Sequence, residues 1–244
     1  MSLVKVESSE GITTITMARP EKRNALTQEL CDGLYEAYRA FEAGGDQVAI
    51  LQADGPAFCV GADLKNPPSA MWKAVPDVSY KLSKPVIAAT QGWVIGGGIC
   101  LVMTCDLMVS ADTTKFMYPE AKVGVFGGLM PGIVSRMPHK VAMEFLLIGE
   151  ELPVERAYQV GFVNKIAPKG QHIVQAQEMA AKIAGNAPLV VQALKKLARE
   201  AMPKGPLETV AEARRLLDPI RTSEDLKEGV AAFKEKRKPK FKGK

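Results

Sequence analysis

The sequence predicts an α/β fold in which a mainly parallel sheet is covered by helices and followed by a helical region. Three observations carry this. The runs VAILQA (48–53), PVIAAT (85–90) and DLMVSA (106–111) are apolar at consecutive positions, as strands buried on both faces are. Segments with helical spacing lie between and after them, and the second half of the chain is almost all helix. With 244 residues, 47% of them hydrophobic, the chain is long enough to bury about 70–75% of its unfolded surface without disulfides or a metal.

In chain order, residues 3–7 and 12–17 flank a Ser-Glu-Gly turn and read as a hairpin, with β-branched Ile12 to Thr16 favouring extended backbone. A helix starts at Thr27 as N-cap, carries Leu30, Leu34, Tyr38 and Phe41 on one stripe, and stops at Gly44-Gly45. The three buried strands follow. Helices are expected near 139–149, 153–160, 171–185, 188–202, 206–217 and 223–237, with Pro153, Pro188, Pro203 and Pro206 marking starts and stops. No repeat and no long linker separates the halves, so the helical half is a subdomain packed on the first.

No apolar run approaches the roughly 20 residues of a membrane span, and MSLVKVESSEG lacks the apolar centre of a signal peptide; a cytoplasmic location is expected. Cys31, Cys59, Cys100 and Cys105 have neither CxxC nor regular spacing, and only His139 and His172 could join them, so no metal site is expected. Both histidines are read as structural, at exposed helix starts. The net charge of +5 resides in the tail, where eight basic residues from Lys227 onward face only Glu228 and Glu235.

The stretch VIGGGIC (94–100) places three glycines where a strand meets a helix. Each weakens a helix by about 0.5–1 kcal/mol relative to Ala, so something needs the backbone bare there. The spacing fits neither GxGxxG nor GxxxxGK[ST]. What is left is a helix amino terminus whose free N–H groups hold an oxyanion, with a second donor offered by GPAFCVGADL (55–64).

The ordered set ARPEKRNAL (18–26), AFCVGADL (57–64), KPVIAATQGWVIGGG (84–98), CDLMVSADTTKF (105–116), Pro119-Glu120, GFVNKIAP (161–168) and TSEDLKEGVAAFKEKRKPKF (222–241) resembles the crotonase, or enoyl-CoA hydratase/isomerase, superfamily nearly end to end. The resemblance implies a crotonase-like ββα spiral core over 1–190 and a C-terminal helical region over 191–244 for oligomerisation and CoA contact. It implies trimers or dimers of trimers and an acyl-CoA substrate, with CoA entering as part of the thioester and no separate cofactor. The amides of Ala62 and Gly97 would form the oxyanion hole. Lys22, Ala25, Asp63, Leu64 and Lys65 would help bind the substrate, with Asn24-Ala25-Leu26 as the adenine-contacting loop. Phe233 and Lys236 would reach the CoA of a neighbouring subunit.

Family hydratases use two glutamates. One corresponds to Glu120; the other position holds Cys100, a thiol that is mostly protonated at neutral pH and is read as a small buried helix residue. One carboxylate suffices to take a proton and return it further along a chain, so the reading favours double-bond isomerisation. A hydratase or dehydratase of an unusual enoyl-CoA is the alternative, with Asp77 as the nearest further carboxylate in sequence. Met71, Trp72, Phe126, Leu129 and Met130 are candidate acyl-pocket residues. An RNA-binding or catalytically silent relative is a third reading, weakened because only Phe233 and Phe241 interleave with the basic tail.

Overall fold

The computed structural model describes residues 2–124 and 131–244. Strand β1 (Val4–Ser9) turns through Glu10 and Gly11 into the antiparallel β2 (Ile12–Met17), as the β-branched run predicts. Helix α1 (Gln28–Ala43) is capped by the Thr27 hydroxyl, which accepts from Leu30 N at 3.3 Å. A cap of this kind stabilises by about 1 kcal/mol. The stripe of Leu30, Leu34, Tyr38 and Phe41 is buried, and the helix ends before Gly44.

The main sheet continues through β3 (Val48–Ala53), β4 (Val86–Thr90), β6 (Leu107–Ala111) and β9 (Lys165–Ala167), all parallel to β2, in the order β1-β2-β3-β4-β6-β9. Its two faces explain the unbroken apolar runs. On β3 and β4, Ala49, Leu51, Val86 and Ala88 face the larger core that holds α1. Val48, Ile50, Ile87 and Ala89 face a second core closed by Ala176 and Ala180 of α6 (His172–Ala184). Each fully buried Ile or Leu contributes about 1.5–3 kcal/mol.

A second, three-stranded sheet lies apart from the first: β5 (Trp93–Ile95), β7 (Lys115–Met117) and β8 (Glu151–Pro153), with β5 and β7 parallel and β7 and β8 antiparallel. Between these strands run α2 (Gly97–Thr104), α3 (Glu120–Val123) and α4 (His139–Ile148), and α5 (Val154–Gln159) follows β8. Every residue of α2 is buried.

Helices α7 (Pro188–Ala201), α8 (Pro206–Arg221) and α9 (Glu224–Lys234) complete the chain. Helix α7 is tied to the sheet by ions rather than by burial. Arg199 pairs with Asp77 and Asp106 at 3.2 Å each, and Lys195 pairs with Asp106 at 2.9 Å. Its apolar residues Leu189, Leu194 and Leu197 are exposed. Helix α8 runs to Arg221, past the expected end at 217, with Pro219 inside its final turn.

The last helix is shorter than expected, ending at Lys234, and Lys236 takes a positive φ that turns the tail back. Arg237 then pairs with Glu228 and Glu235 at 2.6 and 2.5 Å, and the Lys242 and Gly243 amides donate to Asp225. The basic tail therefore lies on acids of its own helix. No helix among the described residues is long and apolar enough to cross a membrane.

Candidate active site

The site grows from the junction of β5 and α2. Gly96 sits at φ 53°, ψ −113°, a conformation open to glycine, and its N–H donates to Met117 O at 3.0 Å. This bond lays the end of β7 alongside the start of α2. The helix then begins at Gly97 with its first amides pointing out of a buried helix end.

A second segment meets it there. Asn24, fully buried at φ 54°, accepts from Arg19 N and donates to Asp54 O and Ala57 O, all at 2.9 Å, which clips residues 18–26 onto 54–57. Parallel bridges pair Leu26 with Ala62 and Cys59 with Val94. Leu26 N donates to Gly61 O at 2.8 Å and Asp63 N to Leu26 O at 2.9 Å, so the Ala62 N–H between them is left over. A methyl group on Gly61 would lie 3.5 Å from Gly97 N, and one on Gly97 would lie 3.7 Å from Ala62 N. Among the hydrogen bonds of the described residues neither amide has a partner. Two free N–H groups thus stand together at a helix amino terminus, an arrangement suited to an oxyanion.

The methyl position of Gly97 also lies 2.9 Å from Met71 Sδ and 3.0 Å from Leu26 Cδ1. Met71 therefore flanks the two amides, and Trp72 beside it is half-buried. Phe126, Leu129 and Met130 lie outside the described residues.

Glu120 opens α3 directly opposite. Its Oε1 stands 2.8 Å from where a Gly96 methyl would be, while its Oε2 is buried with no hydrogen-bond partner among the described residues. Burial raises its pKa from 4.5 to about 7. Cys100, one helical turn beyond Gly96, is buried; desolvation first and the Glu120 charge second hold its thiol far above the ordinary range, so it is neutral. Tyr118 is likewise kept protonated by burial, with Glu120 and Cys100 adding to the effect.

Other expected site residues are placed as follows. Ala25 is buried, and its carbonyl accepts from Arg19 at 2.9 Å. Asp63 pairs with Arg19 at 2.8 Å and accepts from the Lys65 and Asn66 amides, and these bonds lower its pKa. Lys22, Leu64 and Lys65 are exposed, Leu64 at 90%. Phe233 and Lys236 stand exposed on and just past α9. Asp77 is committed to Arg199 and to the Leu82 amide, which holds its carboxylate in the ion network.

One expectation needs correction. His172 is buried, not exposed, because α6 packs across the sheet and sets its Nε2 3.2 Å from Gln91 Oε1; desolvation lowers its pKa. The Asn24 side chain fastens the loop to the body, and Leu26 beside it is fully buried. Sequence reasoning found the loop but missed the clip, although an Asn between two turn-prone segments is a signal for a left-handed position. A cavity of about 620 Å³ lies between α7, α8 and residues 77–83, apart from Glu120, and most of its cations are held in ion pairs or hydrogen bonds.

The family model described as enoyl-CoA hydratase/isomerase matches residues 7–244. The chain belongs to this family. It is an enzyme of the hydratase/isomerase type with the crotonase fold. An (E)-benzylidenesuccinyl-CoA hydratase of Thauera aromatica is 35% identical over 98% of the chain and 99% of its own length. The crystal structure of an enoyl-CoA hydratase from Mycobacterium tuberculosis H37Rv superposes over 100% of both chains with a TM-score of 0.77 at 35% identity. That of a carnitinyl-CoA hydratase from Mycobacterium avium does so with 0.78 at 32%, also over the whole of both chains.

Proposed function

We propose that this hydratase/isomerase family enzyme shifts a double bond in an acyl-CoA thioester, with Glu120 as its one acid–base carboxylate and the amides of Ala62 and Gly97 as its oxyanion hole. The observation that carries the reading is the half-buried Glu120, its Oε2 enclosed and its Oε1 against Gly96, beside two unpartnered amides, with a neutral thiol at Cys100 where a second carboxylate would be needed. Glu120 takes a proton from C2 of a 3-enoyl thioester, and the electron pair of the broken C–H bond moves to the thioester oxygen. The two amides hold that charge. The same carboxyl then returns the proton to C4, leaving the double bond at C2–C3, so atoms and charge balance without a further cofactor. A base with a pKa of about 7 is well matched to this work, since it is half ionised near neutrality. One preorganised amide donor contributes about 3–4 kcal/mol to the transition state.

A second reading, hydration of an unusual enoyl-CoA, is favoured by relatives named for hydration of benzylidenesuccinyl-CoA and of carnitinyl-CoA. The enzyme is incubated with 2-enoyl-, 3-enoyl- and 3-hydroxyacyl-CoA thioesters in deuterated water, following product and exchange. Isomerisation with exchange at C2 and little hydration supports the first reading; hydration as the main reaction overturns it.

In this proposal residues 1–190 bind the thioester and 191–244 assemble copies of the chain into a homotrimer or a dimer of trimers. The exposed Leu194, Leu197, Leu216 and Phe233 support an interface there, and Phe233 and Lys236 would face a neighbour's CoA. The acids that engage the tail argue against an RNA-binding arm.

A further inference from the structure

The methyl position of Gly97, two bonds from its amide nitrogen, marks what borders the two free amides. Besides Ala62 N at 3.7 Å, the nearest atoms to that point are Met71 Sδ at 2.9 Å and Leu26 Cδ1 at 3.0 Å, so two apolar side chains end there. Glu120 meets Gly96 instead. Leu26 is fully buried, and its backbone is bound to Gly61 and Asp63. Met71 is half-buried and comes from another segment, with an unbranched side chain that adapts to the space it fills. Of the candidate acyl-pocket residues, it is the one set against the amides.

The turn that carries Met71 is fastened to α1 on both sides of that residue. Gln28 Oε1 accepts from Ser69 Oγ at 3.0 Å and from Ala70 N at 2.9 Å, immediately before the 3-10 turn Met71–Ala74. Asp32, one helical turn further on, accepts from Gln28 Nε2 at 3.0 Å and pairs with Lys73 at 2.7 Å. The Tyr38 hydroxyl donates to Ala74 O at 3.1 Å, and Ala74 is fully buried. The backbone at residue 71 is therefore held before and after, and only the thioether end is left to yield.

Resting on the oxyanion-hole reading above, we propose that Met71 is a specificity-determining residue that limits the bulk carried at C2 of the thioester, and that Gln28 is the positioning residue that keeps it there. A thioester oxygen held by the amides of Ala62 and Gly97 brings C2, two bonds from that oxygen, into the space that Met71 and Leu26 border. Hydrogens on C2 fit beside the sulfur. A methyl branch on C2 competes for the volume that the end of Met71 fills, and the fastened turn keeps the side chain from withdrawing as a whole.

The full-length enzyme is titrated calorimetrically with butyryl-CoA and 2-methylbutyryl-CoA, saturated thioesters that bind without net reaction and differ by one methyl group at C2. We expect the wild type to bind the unbranched thioester about tenfold more tightly, the worth of one ill-fitting methyl group. Met71→Ala should reduce that ratio to about twofold, and Gln28→Ala should reduce it part of the way. A merely structural Gln28 would lower the melting temperature and leave the ratio in place, which removes its positioning role. Equal affinities in the wild type, or the wild-type ratio in a folded Met71→Ala, overturn the proposal. Gly97→Val separates it from the reading beneath. If that variant binds both thioesters as the wild type does, or the wild type binds neither, the oxyanion-hole reading itself is wrong; if Gly97→Val binds neither while Met71→Ala discriminates as the wild type does, only the role of Met71 fails.

Discussion

Three successive glycines do three different things. At Gly96 the backbone conformation and Glu120 Oε1 both forbid a side chain. At Gly97 an added methyl presses on Met71 Sδ and Leu26 Cδ1, the far ends of flexible chains, and meets Ala62 N at ordinary contact distance. At Gly98 it would stand 2.6 Å from the Cys59 carbonyl oxygen, which is backbone in a bridge and cannot yield. We therefore expect Gly97→Val to fold and lose turnover, because the branch fills the space over the two amides. By contrast, Gly98→Ala should lose about 1–3 kcal/mol of stability through overpacking. Urea unfolding with a thioester assay on each variant checks this; a stable but inactive Gly98→Ala would reverse the assignment. The cluster was legible in the sequence, but its division of labour was not, since it depends on which atoms of distant segments arrive opposite each residue.

Glu120 carries a cost that follows from the same burial. Its folded pKa of about 7 lies above the ordinary 4.5. Between these values the folded protein holds a proton that the unfolded chain has released, so stability falls as pH rises through that window and stays lower above it. Glu120→Gln removes the charge. Its melting temperature should exceed that of the wild type at pH 8 and match it near pH 4, while turnover is lost by about 10²–10⁴-fold. Thermal unfolding at the two pH values gives the test, and equal melting temperatures at pH 8 would count against a buried carboxylate.

At the scale of elements, the long strands and helices were legible because each repeats its burial pattern often enough to be counted. Strands Trp93–Ile95, Lys115–Met117, Glu151–Pro153 and Lys165–Ala167 have three residues each and offer too few positions to show a period. Three of these make the small sheet that carries helix α2, with its free Gly97 amide, and Glu120, so the scaffold of the candidate site was the least readable part. Pro153 closes the edge strand β8, where a missing N–H costs least. The 18–26 segment is an element of another kind, a loop held by one side chain. Asn24→Gly keeps the left-handed backbone available and deletes three buried hydrogen bonds, with an expected loss of about 2–4 kcal/mol in urea unfolding. Because Leu26 pairs with Ala62, turnover should fall beyond what the residual folded fraction explains. A variant with unchanged stability would show that the clip is dispensable.

Over the whole molecule, helix α7 is held more by ions than by burial. No residue of α7 is buried, while Leu189, Leu194 and Leu197 are 81%, 63% and 63% exposed. A patch of this kind on an isolated chain marks an interaction surface. Paired substitutions Leu194→Glu and Leu197→Glu should lower the mass in solution toward that of one chain while leaving the far-ultraviolet circular dichroism unchanged. Light scattering after gel filtration reads the outcome, and an unaltered mass would locate the interface elsewhere.

The order of the main sheet, β1-β2-β3-β4-β6-β9, never doubles back on the sequence. Each strand joins the edge left by the one before it, as β3 does against β2 and β6 against β4. A chain made from its amino terminus can therefore lay this sheet down in the order in which the ribosome releases it, without waiting for a later strand to be inserted between earlier ones. The growing edge stays open until Lys165–Ala167 emerges. Helix α6 and its buried Ala176 and Ala180 come directly behind, so the cover for the sheet's second face arrives as that edge is completed. The three exposed helices leave the ribosome last, when the body they must join already exists.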